Sequence, residues 1–325
     1  EAKLSAIAKA NGFELSYFHG RGGTISRGGG KVHRFLHSMP PNSMSGQIKM
    51  TIQGETIANQ YANLLNATYN LEMQLSGPLR QVMNRKDDEF FNDAASIINK
   101  AQQRSQEKYR SLLEHPQFIP FYRGVTPIDV LEESKIGSRP SRRTGQTSLD
   151  DLRSIPWVFS WSQSRFGLTG WFGLGSGIEA IKNENPVDYE KLKSLAQDWS
   201  FFKYLMIQLE TNLLSADKDI MLAFKDLMKD QAVAEEMMQI IWEDYDKALF
   251  FVDDILGGNK TERRFAKLMD NEIRNKGLAP LHQVQLAEIK KWRACPSENE
   301  DLKAKLLHKQ LLIVNALAGG LKSTG

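Results

Sequence analysis

The 325-residue sequence is poor in cysteine, in net charge and in long hydrophobic runs, and each shortage excludes a class of protein. Its one cysteine, Cys295, excludes an internal disulfide and fits a reducing compartment, so we expect a cytoplasmic protein. Forty-two basic and thirty-nine acidic side chains give a net charge of +3, which is too balanced to indicate a nucleic-acid or membrane surface. The longest apolar run, within residues 311–321, is too short and too interrupted to span a bilayer.

What the sequence does contain is a dense run of glycines in residues 18–30. Six glycines, two arginines and one histidine fall within these thirteen residues. Glycine permits positive φ and close approach of the backbone to a ligand, at a high entropic cost, so the composition indicates a binding loop. The alternating residues 13–18 before it predict a short strand that leads into the loop. A strand followed by such a loop with fixed cations favours the binding of an anion.

Two common phosphate-binding loops are excluded by single residues. A Walker loop needs Gly-Lys followed by Ser or Thr, whereas Val32 follows Lys31, and a dinucleotide fingerprint starting at Gly20 needs a glycine where Ile25 stands. An Arg/Gly-rich RNA-binding tract is another alternative, although such tracts are repetitive and this stretch occurs once. A phosphate- or RNA-binding module and a helical assembly domain are therefore the competing hypotheses.

The glycine-rich stretch is followed by further motifs in a fixed order. Phe18–Gly23 (Phe-His-Gly-Arg-Gly-Gly) and Arg27–Gly30 (Arg-Gly-Gly-Gly) resemble the glycine-rich catalytic loop of the phosphoenolpyruvate carboxylase family. The similarity continues through Ser38–Pro41, Lys49–Glu55, Phe121–Pro127, Ile136–Pro140, Leu152–Trp157 and the final Thr324–Gly325. The family's His-Pro-Thr and Ser-Asp-Ser-x-Lys-Asp motifs are missing, and the sequence starts at Glu1 without a methionine. We therefore expect a C-terminal fragment of a longer enzyme.

The resemblance implies an activity and a fold. The reaction is the carboxylation of phosphoenolpyruvate by bicarbonate to oxaloacetate and phosphate, by a cytoplasmic, homotetrameric, allosteric lyase that feeds the tricarboxylic acid cycle. The fold is α/β and predominantly helical, part of a TIM-like (β/α)8 barrel of the phosphoenolpyruvate/pyruvate type with many extra helices. Residues 1–180 would be the C-terminal part of the barrel, with the glycine-rich loop at 18–30 and an arginine loop at 136–153. Residues 181–325 would be a helical region with a regulatory site.

The resemblance also implies roles for individual side chains. Arg21, Arg27 and Arg153 match arginines that bind phosphate or the reacting carboxyl groups, for which a bidentate, permanently charged guanidinium is suited. His19 matches the histidine that assists carboxylation. Supporting positions are Gly20, Gly22, Gly23, Gly28, Gly29, Arg139 and Arg142. Mg²⁺ is the implied cofactor, with its ligands in the missing N-terminal part and none in this chain, which alone should be inactive.

A feedback site for aspartate or malate is the other site that the resemblance implies. Arg27 and Arg274 match two of its four ligands, but Phe224 stands at the position of the lysine and Ser323 at that of the asparagine. Losing one charge-assisted hydrogen bond costs about 1.5–3 kcal/mol. We therefore expect a dicarboxylate to inhibit weakly or not at all.

The rest of the sequence predicts the helices and strands that carry the candidate site residues. His33 and His37 are four residues apart, a spacing that fits either a metal pair or, as we favour, one face of a helix. Hydrophobic periodicity predicts mostly helices with few strands. The predicted elements are a helix ending at Asn11–Gly12, strands at 48–52 and 155–161, a helical region 56–115 with a break at Ser76–Pro78, apolar helical stripes over Leu195–Leu213 and Met238–Ile255, and a last helix over Asn299–Leu317.

Overall fold

The computed structural model describes residues 2–20, 30–39, 48–52, 54–83, 87–133 and 152–322. The described residues form sixteen α-helices and two short strands, so the predominantly helical character is confirmed. The chain divides into two compact units. Unit 1 comprises Glu1–Gln103, Ile178–Glu210 and Phe251–Gly257, and unit 2 comprises Arg104–Gly177, Thr211–Phe250 and Gly258–Gly325.

The N-terminal helix α1, Ala2–Ala10, ends at Asn11 and Gly12 as predicted. The Asn11 side-chain amide donates to the carbonyl of Ile7, and Gly12 adopts a φ of +73°, a left-handed conformation that favours glycine. The strand that follows, β1, covers Phe18–Gly20, so the prediction of a strand over residues 13–18 is wrong in its bounds. Pairing with a partner of only three residues, rather than alternation along the sequence, sets its length.

The partner of β1 is β2, Lys49–Thr51, which confirms the strand predicted at 48–52. The two strands are parallel, with His19 opposite Met50. Parallel strands need a crossover connection, and helix α2, Val32–His37, lies on it.

Helices occupy the region 56–115, as predicted: α3 is Gly54–Tyr61, α4 is Leu64–Met83 and α5 is Asp87–Leu113. The predicted break at Ser76–Pro78 is wrong, because α4 continues through Pro78. A Cβ at Gly77 would lie 2.5 Å from the Leu36 side chain of α2. Gly77 therefore allows α2 and α4 to pack closely, and this packing outweighs the hydrogen bond that proline removes.

Unit 2 contains the short helices α6, Phe118–Val125, and α7, Ile128–Glu132, followed by α8, Ser154–Gln163. The prediction of a third strand over 155–161 is wrong, since these residues form α8. Phe159, Ser160 and Trp161 are all buried, so the run shows no polar face. A short apolar run that is buried on all sides has no periodicity that would distinguish a helix from a strand. Pro156 is tolerated in α8 because it lies in the first helical turn.

The central part of the chain is helical and confirms the predicted stripes as core. Most members of the 195–213 stripe are buried, but Trp199 has an extended backbone and separates two helices. All members of the 238–255 stripe are buried in one helix that ends before Gly257 and Gly258, both at positive φ. The elements are a 3₁₀ turn at Leu168–Gly170, α9 Leu174–Glu184, α10 Pro186–Asp198, α11 Ser200–Ser215, α12 Lys218–Lys225 and α13 Gln231–Leu256.

The chain closes with α14, Lys260–Arg263, and two long helices, α15, Phe265–Ala294, and α16, Glu300–Leu321. The predicted start of the last helix is confirmed, and Asn299 caps α16 by accepting a hydrogen bond from the Leu302 N–H. The predicted end at Leu317 is wrong, because α16 continues through Gly319 and Gly320. A Cβ at Gly320 would lie 2.5 Å from Leu278 of α15, so this glycine serves helix packing rather than termination.

Several predictions fall outside the described residues or are not tested by them. The predicted arginine loop at 136–153 lies outside the described ranges as far as residue 151. Within those ranges only β1 and β2 form a sheet, so the TIM-like barrel stays a prediction, as does the division at residue 180. No helix in the described part of the chain is long and apolar enough to cross a membrane.

Candidate active site

His19 lies in the middle of β1, in unit 1, and is half-buried. Its imidazole meets the ring of Phe35 edge-on, with 5.3 Å between centroids, and lies 6.3 Å from the ring of Tyr17. Phe35 belongs to α2, the helix that follows the glycine-rich stretch. The His19 imidazole therefore belongs to the strand that precedes the glycine-rich stretch and contacts the helix that follows it.

The two ends of the glycine-rich stretch have different surroundings. Gly20 ends β1, and a Cβ there would meet no described atom within 4 Å. Gly30 has a φ of +103°, and a Cβ there would lie 3.4 Å from the side-chain nitrogen of Gln208 on α11. That nitrogen donates to the Tyr204 hydroxyl at 2.9 Å. The stretch thus ends at a position where the positive φ favours glycine.

The remaining predicted loop residues cannot be placed. They lie in 21–29, 134–151 and 323–325, outside the described residues: Arg21, Gly22, Gly23, Arg27, Gly28, Gly29, Arg139, Arg142 and Ser323. Their predicted roles stay predictions.

Arg153, in unit 2, immediately precedes α8 with an extended backbone at ψ 153°. Its carbonyl accepts the N–H of Trp157 at 3.1 Å, which is the first hydrogen bond of the helix. No side chain of the described residues caps this helix start. The Arg153 Nε is buried and has no hydrogen-bond partner among the residues that the structure describes. A guanidinium at an uncapped helix N-terminus, where the helix dipole is positive, is suited to a phosphate or carboxylate.

Aromatic packing holds the start of α8 in place. The ring of Trp157 lies 4.8 Å from that of Tyr122 and 6.1 Å from that of Phe118, both on α6. The Tyr122 hydroxyl is also 3.0 Å from the Ser160 hydroxyl. Because Trp157 bonds to the Arg153 carbonyl and stacks on α6, the backbone of Arg153 is fixed by the Phe121–Pro127 motif.

The end of α6 is itself held by Arg293 of α15. The Arg293 guanidinium donates to the carbonyl oxygens of Arg123, Gly124 and Thr126 at 2.8–3.1 Å. It also pairs with Asp129 through two hydrogen bonds of 2.8 and 3.1 Å. The sequence pattern did not indicate Arg293, since its partners lie more than 160 residues away.

Among the residues that the structure describes, no three His, Cys, Asp or Glu side chains lie close enough to hold a metal ion. His33 and His37 share one face of α2, with ring centroids 5.9 Å apart. Burial lowers the pKa of both imidazoles, as do nearby cations, Arg34 for His33 and Arg80 for His37.

The predicted inhibitor site is represented by two described residues, both in unit 2. Arg274 on α15 donates twice to the Asp270 carboxylate, at 2.6 and 2.9 Å. Phe224 on α12 is fully buried, and its neighbour Lys225 is ion-paired with Glu235 at 2.5 Å. The Lys225 ammonium is therefore already paired with a carboxylate, and the predicted loss of the lysine at the inhibitor site stays a prediction.

Two cations near Arg274 were also missed by sequence reasoning. Arg165 is buried at a φ of +61° and donates to the carbonyl of Ser215 and the side-chain oxygen of Asn275. Burial and, to a smaller extent, the Arg274 guanidinium lower the pKa of Lys267 to about 8. The partners of Arg165 are 50 and 110 residues away, so no local pattern could have indicated it.

His19 and the ends of the glycine-rich stretch belong to unit 1, whereas Arg153 belongs to unit 2. The roles that the resemblance implies for His19, Arg21, Arg27 and Arg153 in one site therefore stay predictions. The structure shows the surroundings of two of these residues. His19 is half-buried on a strand, and Arg153 is half-buried at a helix start that no described side chain caps.

Comparison with known sequences identifies relatives along the whole chain. Phosphoenolpyruvate carboxylases from Trichormus variabilis, Parasynechococcus marenigrum and Xanthomonas campestris are 33%, 32% and 34% identical to it over 345, 341 and 328 residues. These alignments cover 99–100% of the chain but only 33–35% of each relative, so the chain spans about a third of their length.

A family model described as "Phosphoenolpyruvate carboxylase" matches residues 1–325, which confirms the resemblance seen in the glycine-rich stretch and the later motifs. The chain belongs to the phosphoenolpyruvate carboxylase family.

Proposed function

We propose that this chain is part of a phosphoenolpyruvate carboxylase, a carboxy-lyase that converts phosphoenolpyruvate and bicarbonate to oxaloacetate and phosphate. The observation that carries the proposal is the match of the family to all 325 residues. The settings of His19 and Arg153 support it, because each offers the chemistry that the reaction needs.

The reaction brings several negative charges into one pocket. A bicarbonate oxygen attacks phosphorus and the bond from phosphorus to the enol oxygen breaks, which gives carboxyphosphate and the enolate of pyruvate. Carboxyphosphate then releases CO₂ and phosphate, and carbon 3 of the enolate bonds to CO₂. In our proposal Arg153 binds the phosphoryl group, and the dipole of α8 adds to its positive charge. Arg21 and Arg27 would share this role, with Arg139 and Arg142 at the mouth of the site.

His19 would act in the second half of the reaction. A neutral imidazole donates a hydrogen bond to carboxyphosphate or CO₂ without readily protonating the enolate beside it. The enolate also has to be shielded from water until CO₂ arrives. A glycine-rich stretch between β1 and Gly30 is suited to open and close over it.

The proposal extends to the assembly of the whole enzyme. Residues 1–180 would complete a TIM-like barrel with chain that lies outside these residues, and residues 181–325 would carry the regulatory region. The enzyme would be a cytoplasmic homotetramer that feeds the tricarboxylic acid cycle. The parallel pairing of β1 and β2 supports the barrel, since parallel strands belong to sheets covered on both faces.

The family membership implies Mg²⁺, which would stabilise negative charge on the reacting groups. The described residues do not fit a metal ion, because they provide no group of three ligating side chains. Because the Ser-Asp-Ser-x-Lys-Asp motif is missing from this sequence, we place the ligands in the part of the enzyme that this chain does not span, and expect the isolated chain to form no oxaloacetate.

The test has two parts. The coding sequence upstream of residue 1 should encode a His-Pro-Thr motif and a Ser-Asp-Ser-x-Lys-Asp motif. The parent polypeptide should then form oxaloacetate, detected by coupling to malate dehydrogenase, and Arg153→Gln should lower kcat/KM about 10²–10³-fold. Oxaloacetate formation by the isolated chain, or an Arg153→Gln parent as active as the wild type, would contradict the proposal.

A further inference from the structure

Helix α4, Leu64–Met83, exposes large apolar side chains along most of its length. Leu64, Leu65, Leu75 and Met83 are 72–83% exposed. Tyr69, Leu71 and Leu79 on the same helix are 47–58% exposed. At 100° per residue, these seven positions fall within one half of the helix surface, which we call the α4 apolar face.

The opposite side of α4 is already occupied. Gly77 lies against Leu36 of α2, and Gly77 and Pro78 are both buried. The α4 apolar face is centred on positions 71, 75 and 79, roughly opposite Gly77 on the helix. The polar Asn70 also lies on the Gly77 side, where its amide donates to helix α3, so α4 packs its polar side inward and exposes its apolar face, the reverse of an ordinary surface helix. Among the described residues, only the layer on the Gly77 side is present.

Exposed apolar side chains are concentrated in this part of the chain. Of the 24 large hydrophobic residues with exposed side chains in the described ranges, 13 lie between Leu4 and Met83. They include Phe18 on β1, which is 62% exposed although parallel strands are normally covered on both faces. A monomeric soluble protein rarely leaves an apolar patch of more than a few hundred Å² exposed. These features mark an incomplete domain.

We propose that the α4 apolar face binds the part of a phosphoenolpyruvate carboxylase polypeptide that lies outside the third spanned by this chain. The inference rests on the proposed function. The length of the relatives supports this occupant, because about two thirds of each relative lies outside the match. The small parallel sheet formed by the described strands of the same unit supports it as well, since a two-stranded sheet is only marginally stable without further strands or helices packed on it. The partner would present a complementary apolar surface.

Methionine oxidation measures whether the face is covered. Met83 is 73% exposed, whereas Met206 is 1% exposed and is the buried reference within the same protein. We expect hydrogen peroxide to oxidise Met83 at least tenfold more slowly in the parent polypeptide than in the 325-residue chain, with Met206 slow in both. Equal rates for Met83 in the two proteins would overturn the proposal.

A charged substitution tests the face without disturbing the core. Leu75→Glu should leave the unfolding of the 325-residue chain nearly unchanged, because Leu75 is 72% exposed. In the parent polypeptide the same substitution should raise the oxidation rate of Met83 at least tenfold. The matched control is Leu312→Glu on α16, which is 58% exposed and belongs to unit 2, and it should have no effect on Met83.

Three further outcomes separate this proposal from a second copy of the chain and from the proposed reaction. If Met83 is protected only at concentrations where the protein self-associates, a second copy covers the face and the proposal is wrong. If Met83 is protected in a parent that forms no oxaloacetate, the surface assignment stands and the proposed reaction fails. If the parent forms oxaloacetate while Met83 is oxidised as fast as in the 325-residue chain, the proposed reaction stands and the surface assignment fails.

Discussion

At the scale of single residues, the closest approaches between helices depend on glycines that a larger side chain would disrupt. Gly175, in the first turn of α9, shows this most clearly. A Cβ there would lie 2.5 Å from the backbone nitrogen of Ala248 and 2.6 Å from the carbonyl oxygen of Asp244 on α13. Both are backbone atoms, so neither can move aside as a flexible side chain would. A Cβ at Gly277, in the middle of α15, would meet no described atom within 4 Å.

The first prediction compares these two glycines. Gly175→Ala should destabilise the chain by about 1–3 kcal/mol through overpacking. Gly277→Ala should instead stabilise it by about 0.5–1 kcal/mol, because alanine is the better helix former. Urea unfolding followed by circular dichroism measures both. A destabilising Gly277→Ala would show that α15 is not a free helix surface at this point.

His282 on α15 is a buried imidazole, with 1% of the residue exposed. Burial, and then the Arg165 guanidinium, lower its pKa to about 4, against the smaller effects of Gln285 and Asp217. The folded chain therefore keeps this ring neutral at a pH where the unfolded chain would protonate it. The unfolded state binds more protons between pH 6.5 and 4, so stability falls as the pH falls through that range.

The second prediction follows from the difference between the pKa of His282 in the folded chain and that in the unfolded chain. The wild-type chain should lose up to about 3 kcal/mol of unfolding free energy between pH 6.5 and 4 through His282. In His282→Gln this loss should be absent, while His308→Gln at an exposed position on α16 should behave like the wild type. Urea unfolding at pH 6.5 and pH 4 measures the effect. Equal pH dependence in wild type and His282→Gln would contradict it.

At the scale of elements, the Arg293 contacts join α15 to the end of α6 and the start of α7. This one guanidinium donates hydrogen bonds to three carbonyl oxygens and to both carboxylate oxygens of Asp129. An arginine is needed because its planar fork reaches several acceptors at once, which a lysine ammonium cannot do.

The third prediction concerns substitutions that remove the Arg293 guanidinium. Arg293→Leu should cost about 2–4 kcal/mol of unfolding free energy, because Asp129 and three carbonyls lose their donor. Arg293→Lys should recover only part of the loss. The exposed Lys290 on the same helix is the matched control, and Lys290→Leu should have almost no effect. A fully stable Arg293→Leu chain, measured by thermal unfolding, would show that the contacts are dispensable.

Periodic elements could be predicted from the sequence, and elements defined by packing could not. The stripes over 195–213 and 238–255 are amphipathic enough to reveal both the helix and its buried side. The residues of α8 carry no such signal, because buried groups surround it on most sides. The continuation of α4 through Pro78 and of α16 through Gly320 depends on Leu36 and Leu278, which are distant in sequence.

At the scale of the whole molecule, the family and the predominantly helical character could be predicted from the sequence, whereas the surroundings of the individual site residues could not. His19, Arg21 and Arg27 with their glycines carry enough specificity to indicate a phosphoenolpyruvate carboxylase, and the match over 1–325 confirms it. The placement of His19 between β1 and α2, and of Arg153 at the start of α8, required the structure. The partners of Arg165 and Arg293 lie 50 to 170 residues away, beyond the reach of any local pattern.

The fourth prediction concerns regulation of the parent enzyme. Aspartate should inhibit it weakly or not at all, because Phe224 is buried, Lys225 is paired with Glu235 and Arg274 is paired with Asp270. Phe224→Lys should not by itself restore inhibition, because the new ammonium would start in a buried apolar position. Initial rates at increasing aspartate concentration measure this. Inhibition of the wild-type parent at sub-millimolar aspartate would contradict it.

Our central proposal is that Arg153 of this chain helps a phosphoenolpyruvate carboxylase to bind the phosphoryl group that bicarbonate would attack. The most direct test supplies ¹⁸O-bicarbonate and phosphoenolpyruvate to the parent polypeptide and analyses the phosphate and oxaloacetate by mass spectrometry. Attack of a bicarbonate oxygen on phosphorus predicts one labelled oxygen in each phosphate and two in the new carboxylate, with both products falling together in Arg153→Gln. Unlabelled phosphate, or phosphate release that does not depend on bicarbonate, would contradict the account.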